Sequence, residues 1–207
     1  GKWNAPVLVG LCEIENLGVL EMLCRNEPLA SFHYKIVQQD SPDSRGIDVA
    51  LLYRPDLFHP FDYKAIPVVD PTAKSFKTRD ILEVSGVINN CDTIHFFVNH
   101  WPSRAGGIME SRKFRFLAAE TLKKSVLSLL SQYPNAKIVC MGDFNDTPAD
   151  ESLADKLGAV FPDNHAKKGE LINLSFSWMS EEIQTIKSKY RWETFDQFIV
   201  SDYFLDD

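Results

Sequence analysis

Four short stretches of the sequence place polar side chains at the ends of predicted strands, where a side chain is held rigidly but opens onto loops. The most informative stretch is Gly142-Asp143-Phe144-Asn145, which follows the predicted buried strand Lys137–Met141. An acid and an amide two residues apart point the same way along a strand. They can orient a water molecule and hold a phosphoryl oxygen, although Asp and Asn also favour turns. The pattern favours hydrolytic chemistry over a plain turn.

A second stretch ends an early apolar strand, Val7–Cys12, with the carboxylate of Glu13. A carboxylate at the tip of a strand buried on both faces is unfavourable unless a positive group satisfies it. Mg²⁺ takes one or two protein carboxylates and keeps water molecules for a phosphate substrate, so Glu13 is a candidate metal ligand. The alternative is that Glu13 simply faces solvent.

Two further stretches offer groups that suit a phosphate. Arg45 precedes the predicted strand Ile47–Tyr53, and its planar guanidinium fits a phosphate oxygen, while Asp48 inside that strand needs a partner. His100 ends the predicted strand Thr93–Asn99, where an imidazole can stabilise or protonate a departing oxyanion. The structural alternatives are an Arg45–Asp48 ion pair and a histidine satisfied within the core. The other histidines show no comparable setting: His33, His59, His95 and His165.

The composition predicts one folded domain with a sizeable core, because the 207 residues are 44% hydrophobic and 12% aromatic. A net charge of −7 argues against a protein that binds mainly by neutralising many nucleic-acid phosphates, but not against an enzyme that handles one phosphate. No apolar run reaches the roughly 18 residues that span a membrane. The four cysteines show no zinc-ligand spacing, so we expect free thiols.

Strands that arrive both in hairpins and across helices predict an α/β (α+β) fold with two packed sheets and helices outside. Asn16 should cap a helix that begins at Leu17, and Asn89-Asn90-Cys91-Asp92 suits a hairpin turn. The segment Phe161–Lys189 is expected to be largely loop. The other predicted strands are Tyr34–Val37, Ile66–Val69, Ile81–Ile88 and Phe195–Val200, and the other predicted helices are Glu110–Gln132 and Glu151–Leu157.

These motifs resemble those of the endonuclease/exonuclease/phosphatase family, in its deoxyribonuclease-like branch. Gly10-Leu11-Cys12-Glu13 is similar to the family's metal-glutamate motif, and Asn99-His100-Trp101-Pro102 to its histidine motif. Gly142-Asp143-Phe144-Asn145 resembles its most diagnostic motif, and Phe195-Asp196-Gln197 the strand whose Asp orients a catalytic histidine. The resemblance runs along nearly the whole chain. It implies a single catalytic domain, residues 1–207, folded as a four-layer α/β/β/α sandwich of two mixed sheets.

The resemblance also implies hydrolysis of a phosphoester with Mg²⁺ or Mn²⁺ as the cofactor. By this analogy Glu13 holds the metal, Asp143 orients the attacking water, and Asn145 stabilises the charge that builds on phosphorus. His100 assists on the phosphate, and Asp196 fixes the tautomer of a histidine that lies outside this chain. A diester rather than a monoester substrate is expected, because His100 marks the nuclease-like branch.

The substrate class stays open, because members of the family hydrolyse nucleic acids, nucleotides and phospholipid headgroups. Arg104 opens a basic stretch beyond the His100 motif, and we count it with Arg45 and Asp48 as a substrate-binding candidate. The alternative for this stretch is a solvated helix start. No obligate protein partner is predicted. The alternative functions are a catalytically inactive binding protein on the same fold and a phosphomonoesterase of phosphoinositide or nucleotide type.

Two parts of the family pattern are not found in the chain. No Asn-bearing strand precedes Trp3, and Ser201-Asp202-Tyr203 has Tyr where the family's Ser-Asp-His motif has its histidine. We therefore expect a chain cut at both ends that is nearly inactive by itself. The sequence shows no signal peptide that would indicate a compartment. Because bacterial relatives of this kind are often exported, we expect an exported bacterial protein.

Overall fold

The computed structural model describes residues 5–73, 75–89, 91–162, 168–181, 183–188 and 191–204. The strands of this part of the chain are β1 Leu8–Ile14, β2 Lys35–Gln38, β3 Asp48–Tyr53, β4 Phe58–Ile66, β5 Ile81–Ile88, β6 Asp92–His100, β7 Lys137–Asp143, β8 Ala159–Val160, β9 Leu171–Asn173, β10 Ile186–Ser188, β11 Arg191–Glu193 and β12 Asp196–Ser201. The helices are α1 Leu17–Arg25, α2 Ile108–Gln132 and α3 Phe176–Ser180, with a short π-helix at Ser152–Leu157.

Most strands belong to a seven-stranded sheet with the order β4-β5-β6-β7-β12-β9-β8, here called the large sheet. The small sheet has three strands in the order β1-β3-β2, and β10 and β11 form a separate ribbon. β5 and β6 form an antiparallel hairpin, whereas β6 and β7 are parallel. The parallel pair requires a crossover, and α2 supplies it. The mixed character expected from the sequence is therefore confirmed.

The alternation of residues along the strands creates three apolar layers between four structural layers. In β6, Phe96 and Val98 face the small sheet, where they pack with Val49 and Leu51 of β3. Phe97 faces the opposite way, towards α2. On the outer side of the small sheet, Leu20 of α1 packs on Ala50 and Leu52. The order helix, small sheet, large sheet, helix confirms the α/β/β/α sandwich.

Local predictions held where the sequence carries a local signal. The Asn16 side chain accepts a hydrogen bond from the Val19 amide at 3.1 Å, so the predicted cap of α1 is present. The β5–β6 hairpin and the long helix α2 are also confirmed. The four cysteines are free thiols. Among the described residues, none of the helices has the length and apolar character to cross a membrane.

The strand predicted at Ile66–Val69 is wrong, because the strand ends at Ile66 and begins at Phe58. β4 is the outermost strand of the large sheet and most of its residues are at least partly exposed, so it lacks the apolar run of a buried strand. Pro60 stands within it, beside a register irregularity, and proline is tolerated only at such edge positions.

The segment Phe161–Lys189, predicted as loop, contains more structure than expected. β9 pairs with β12, and α3 and β10 also fall within this range. These elements have only three to five residues each. β9 owes its conformation to pairing with the distant strand β12, and segments as short as these carry no periodic signal. His165 lies outside the described residues.

Gly142 should tolerate no side chain. Its φ is 122°, and a Cβ would lie 2.1 Å from the backbone oxygen of Asn99. Gly142→Ala should therefore lower the free energy of unfolding by at least about 3 kcal/mol, as measured by urea denaturation. Gly46 has a φ of 68° with open space around it, so Gly46→Ala should cost only about 1–2 kcal/mol. Equal losses for the two variants would contradict the close approach of β6 and β7.

Candidate active site

Three adjacent strands of the large sheet bring His100, Asp143 and Asp196 into one row. His100 at the end of β6 lies opposite Asp143 in the parallel β6–β7 pair. Asp196 at the start of β12 lies opposite Asp143 in the antiparallel β7–β12 pair. Residues opposite each other on neighbouring strands have their side chains on the same face of the sheet. Three of the predicted site residues are thus brought together by register, with Asp143 in the middle, at what we call the catalytic edge.

A tight turn after β7 adds Asn145 to this edge. The Asn145 amide donates to Asp143 Oδ1 at 2.8 Å, and its backbone has a left-handed φ of 52°. Its side-chain Nδ2 donates to the Trp101 carbonyl at 2.9 Å, which holds it beside the end of β6. The expectation that Asp143 and Asn145 align by strand period needs correction, because Asn145 lies beyond the strand. A left-handed turn, which Asn tolerates well, sets the position of Asn145 instead.

His100 is buried and uncharged at neutral pH. Burial, followed by the positive charges of Arg79 and Arg45, lowers the pKa of His100 to about 3. Its Nε2 lies 3.8 Å from Asp143 Oδ2, but with a neutral imidazole this approach is not an ion pair. Its Nδ1 is buried and has no hydrogen-bond partner among the described residues. The imidazole therefore carries one ring nitrogen whose hydrogen-bonding capacity is unused by the described residues.

Asp143 sits in an unfavourable electrostatic environment. Burial raises its pKa to about 6, and the carboxylates of Asp196 and Glu13 add to this rise. The hydrogen bond from the Asn145 amide and the charge of Arg79 oppose the rise without cancelling it. Carboxylates that raise one another's pKa lie close in space and lack sufficient positive charge. A cation at this edge would relieve the repulsion.

Glu13 reaches the catalytic edge from the small sheet. Its residue is exposed and has a left-handed φ of 58°, where the β1–β3 register shifts between Leu11 and Ile14. A bulge of this kind turns a side chain away from the regular alternation. The preceding residue, Cys12, fixes the position, because its Sγ donates to the Asn99 carbonyl at 3.3 Å. Strained conformations of non-glycine residues are frequent at functional sites, and both Glu13 and Asn145 have one.

Arg79 is a residue of the site that the sequence did not indicate. It is 5% exposed and donates to the carbonyls of His100 at 3.1 Å and Trp101 at 2.6 Å. It also pairs with Asp43 at 3.0 Å, which ties the β2–β3 loop to the end of β6. No short motif could reveal it, because these contacts join segments more than twenty residues apart and exist only in the folded chain.

Arg45 and Asp48 have different surroundings. The Arg45 side chain is 52% exposed, and it lines a cleft of about 350 Å³ together with Lys77 and Arg79. Its ion-pair partner is Asp43 at 3.7 Å, so the alternative Arg45–Asp48 pair is wrong. Asp48 accepts hydrogen bonds from the amide and hydroxyl of Ser41, at 2.8 and 2.6 Å, and from Gln38. Asp48 shapes the loop that presents Arg45, and its direct contact with substrate stays a prediction.

The guanidinium of Arg104 is engaged within the protein. It lies 4.5 Å from the centre of the Phe195 ring. All three of its nitrogens bind carboxylates, those of Asp146, Asp150 and Glu193 at 2.8–3.0 Å. Its Nε also donates to the Asn145 carbonyl at 3.0 Å. These contacts position the turn after β7, so Arg104 is held in place rather than presented to a phosphate.

The donor set of the edge fits a hard divalent cation. The described residues contain no group of three or more His, Cys, Asp and Glu side chains arranged to hold a metal. Mg²⁺ requires less, because it takes one or two carboxylates and fills its remaining positions with water and substrate. Glu13 is an exposed carboxylate that would hold it, and the carboxylates of Asp196 and Glu13 add to the rise that burial causes in the pKa of Asp143, a repulsion that a cation would reduce.

The fold is similar to those of several solved structures. The chain is 18% identical to the human Nocturnin catalytic domain, solved with a bound sulfate anion, with a TM-score of 0.67 over 95% of this chain and 70% of that one. It is 18% identical to truncated TDP2 from Caenorhabditis elegans, with a TM-score of 0.66 over 95% and 71% of the two chains. The chain is 12% identical to ANGEL2, described as a 2',3'-cyclic phosphatase, with a TM-score of 0.64 over 96% of this chain and 70% of that one.

No curated protein matches the chain significantly in sequence. The family model of the Endonuclease/Exonuclease/phosphatase family, by contrast, matches residues 1–207. This match covers the whole chain and agrees with the four-layer fold and with the row of His100, Asp143 and Asp196. The chain belongs to the Endonuclease/Exonuclease/phosphatase family.

Proposed function

We propose that this chain is a divalent-metal-dependent phosphodiesterase. Members of its family hydrolyse phosphoesters and generally depend on a divalent metal. The observation that carries the proposal is the row of His100, Asp143 and Asp196 on three adjacent strands, with Asn145 held beside it. This arrangement offers a carboxylate for a water molecule and two neutral side chains for a phosphoryl group.

Each residue has a role that follows from its surroundings. Above pH 6 the Asp143 carboxylate is ionised, and it accepts a hydrogen bond from the attacking water. The Asn145 Nδ2 has a second hydrogen, besides the one donated to Trp101, for a phosphoryl oxygen. His100 donates as a neutral imidazole, because its low pKa makes it a hydrogen-bond donor rather than a charged acid. Asp196, exposed beside Asp143, accepts from an imidazole or from water.

Glu13 would hold the metal ion, which supplies polarisation of the phosphoryl oxygen when bound. The chain's own contribution is to keep Glu13 exposed at the bulge of β1, next to the row on the large sheet. The hydrogen bond from the Cys12 thiol to the Asn99 carbonyl holds this part of β1 beside β6. Burial raises the pKa of Cys12 to about 12, so this group stays a neutral donor.

The charge of the edge favours a diester over a monoester. Glu13, Asp143 and Asp196 contribute negative charge, whereas His100 is neutral and Arg79 is already paired with Asp43. A phosphodiester carries one negative charge and a monoester near neutral pH carries almost two, so repulsion is smaller for the diester. ANGEL2, described as a 2',3'-cyclic phosphatase, also acts on a diester linkage, which supports this choice.

The substrate preference can be tested with two chromogenic esters. We expect the chain, supplied with Mn²⁺ or Mg²⁺, to hydrolyse bis-(p-nitrophenyl) phosphate slowly, but with a higher kcat/KM than p-nitrophenyl phosphate. A chelator should abolish turnover, and the added metal should restore it. A clear preference for the monoester would indicate a phosphatase instead. No turnover of either ester, with the metal bound in calorimetry, would favour a binding protein.

Asp143→Asn should separate function from stability. Losing a positioned catalytic group typically lowers kcat by about 10²–10³-fold. Because the pKa of Asp143 is raised, its protonated form is the one that favours the folded state. This stabilisation is fully present below the unfolded pKa of 3.8 and is lost as pH rises through about 6. In the presence of a chelator, the free energy of unfolding of Asp143→Asn should therefore exceed that of the wild type by about 1–3 kcal/mol at pH 8 and should be similar to it at pH 4. Near-normal kcat in a folded variant would exclude the proposed role.

Arg45 and Arg104 should respond differently to substitution. Arg45→Ala should leave the free energy of unfolding nearly unchanged and raise KM for the diester about tenfold or more, because an exposed charged donor is lost. Arg104→Met should lower the free energy of unfolding by about 1–3 kcal/mol, because Asp146 and Glu193 lose a charged donor, although Asp146 keeps its pair with Arg115. Urea denaturation and steady-state kinetics measure both. A higher KM in a fully stable Arg104→Met variant would restore Arg104 as a substrate ligand.

A further inference from the structure

A cavity of about 610 Å³ lies between the C-terminal half of α2 and strands β4–β6 of the large sheet. It is on the opposite face of the sheet from the catalytic edge. Side chains alternate between the two faces along β6. His100 lies on the same face as Phe96 and Val98, which face the small sheet, whereas His95 lies on the same face as Phe97, which faces α2. His95 lines the cavity. We call it the α2 cavity.

Both walls of the α2 cavity carry polar side chains beside apolar ones such as Ile66 and Leu129, although the same helix–sheet interface is apolar elsewhere. On the sheet, Glu83, Ser85 and His95 are each 5% exposed. Burying such groups beside a core is unfavourable unless each has a partner, so the polar wall requires an explanation. On the helix, a second polar stripe recurs at helical spacing and faces the cavity: Thr121, Ser125, Ser128 and Gln132.

The buried polar groups leave one ring nitrogen of His95 available. Ser85 Oγ lies 2.7 Å from His95 Nδ1, and Lys64 Nζ lies 3.1 Å from Glu83 Oε2. His95 Nε2 has no hydrogen-bond partner among the described residues. Burial, followed by the charge of Lys64, lowers the pKa of His95, so the imidazole is neutral and Nε2 offers a single hydrogen bond. This is a fixed polar group at the base of a cavity.

The lining carries no net charge but has exposed aromatic rings. Its charged side chains are two acidic and two basic residues: Asp62, Glu83, Lys64 and Lys124. Phe61 is 62% exposed and Tyr133 is 58% exposed, and the Tyr133 ring stacks on His95 with 6.1 Å between centroids. Phe61, His95 and Tyr133 also line an adjoining cavity of about 560 Å³. Flat apolar surfaces beside a few fixed polar groups are typical of small-molecule sites of this volume.

We propose that the α2 cavity binds an uncharged heteroaromatic molecule of nucleoside size. Its ring stacks on Phe61 and Tyr133, and one polar atom of the ring bonds to His95 Nε2. The absence of net charge in the lining selects against ionised ligands, which distinguishes this site from the catalytic edge. The site is independent of the proposed phosphodiesterase activity, because none of its residues belongs to that edge.

The test is isothermal calorimetry with adenosine, guanosine, cytidine and uridine, each added separately to the chain. We expect at least one to bind. Stacking on an aromatic side chain is worth enough that Phe61→Ala should weaken that binding about fivefold or more. Ser85→Ala should weaken it too, by releasing the His95 ring. Tyr63→Ala is the matched control, because Tyr63 is a 52% exposed aromatic residue of β4 that does not line the cavity.

Several outcomes would overturn the proposal. One is the failure of all four nucleosides to bind the folded wild-type chain. Another is binding that survives in Phe61→Ala but disappears in Asp143→Asn, which would place the ligand at the catalytic edge. Because Phe61 is exposed, Phe61→Ala should fold normally, and it can test the proposal even if Ser85→Ala does not fold. Diester turnover by Phe61→Ala should equal that of the wild type, which separates this test from that of the phosphodiesterase.

Discussion

The buried pair of Arg79 and Asp43 is the interaction on which the arrangement of the catalytic edge depends. The Arg79 guanidinium donates to the carbonyls of His100 and Trp101, at the point where β6 and its inter-strand hydrogen bonds end. It also binds Asp43 in the loop between β2 and β3 of the small sheet. Removing one member of such a pair leaves an uncompensated buried charge, which is strongly destabilising. The pair therefore joins the two sheets at the place where the residues of each must meet.

The catalytic edge is held in a state that is unfavourable for the protein alone. Asp143 is ionised in a partly buried place, His100 is kept neutral, and two residues of the edge have left-handed backbones. This local loss of stability is offset by the surrounding sheet, by the contacts of Arg104 with three carboxylates and by the Arg79–Asp43 pair. Such local conflict is expected where a site is preorganised for a ligand rather than for the empty fold.

The sequence predicted the parts of this structure that carry a local signal. The end of a buried strand followed by Gly142-Asp143 predicted the place of Asp143, and a cap at Asn16 predicted the start of α1. Arg79 was missed because its partners are distant in the chain, and β4 was misplaced because an exposed edge strand lacks an apolar run. Arg104 illustrates the reverse case. A basic residue near a predicted site suggested substrate binding, and only the fold shows three carboxylates around it.

The two margins of the large sheet have a consequence for the behaviour of the protein at high concentration. At one margin, β4 contains Pro60 and an irregular register, and at the other, β8 has only two residues. Neither margin offers a long, regular row of free amide and carbonyl groups to a neighbouring molecule. Edge-to-edge association, the usual first step from a β-rich fold towards insoluble assemblies, is thereby discouraged at both ends of the sheet.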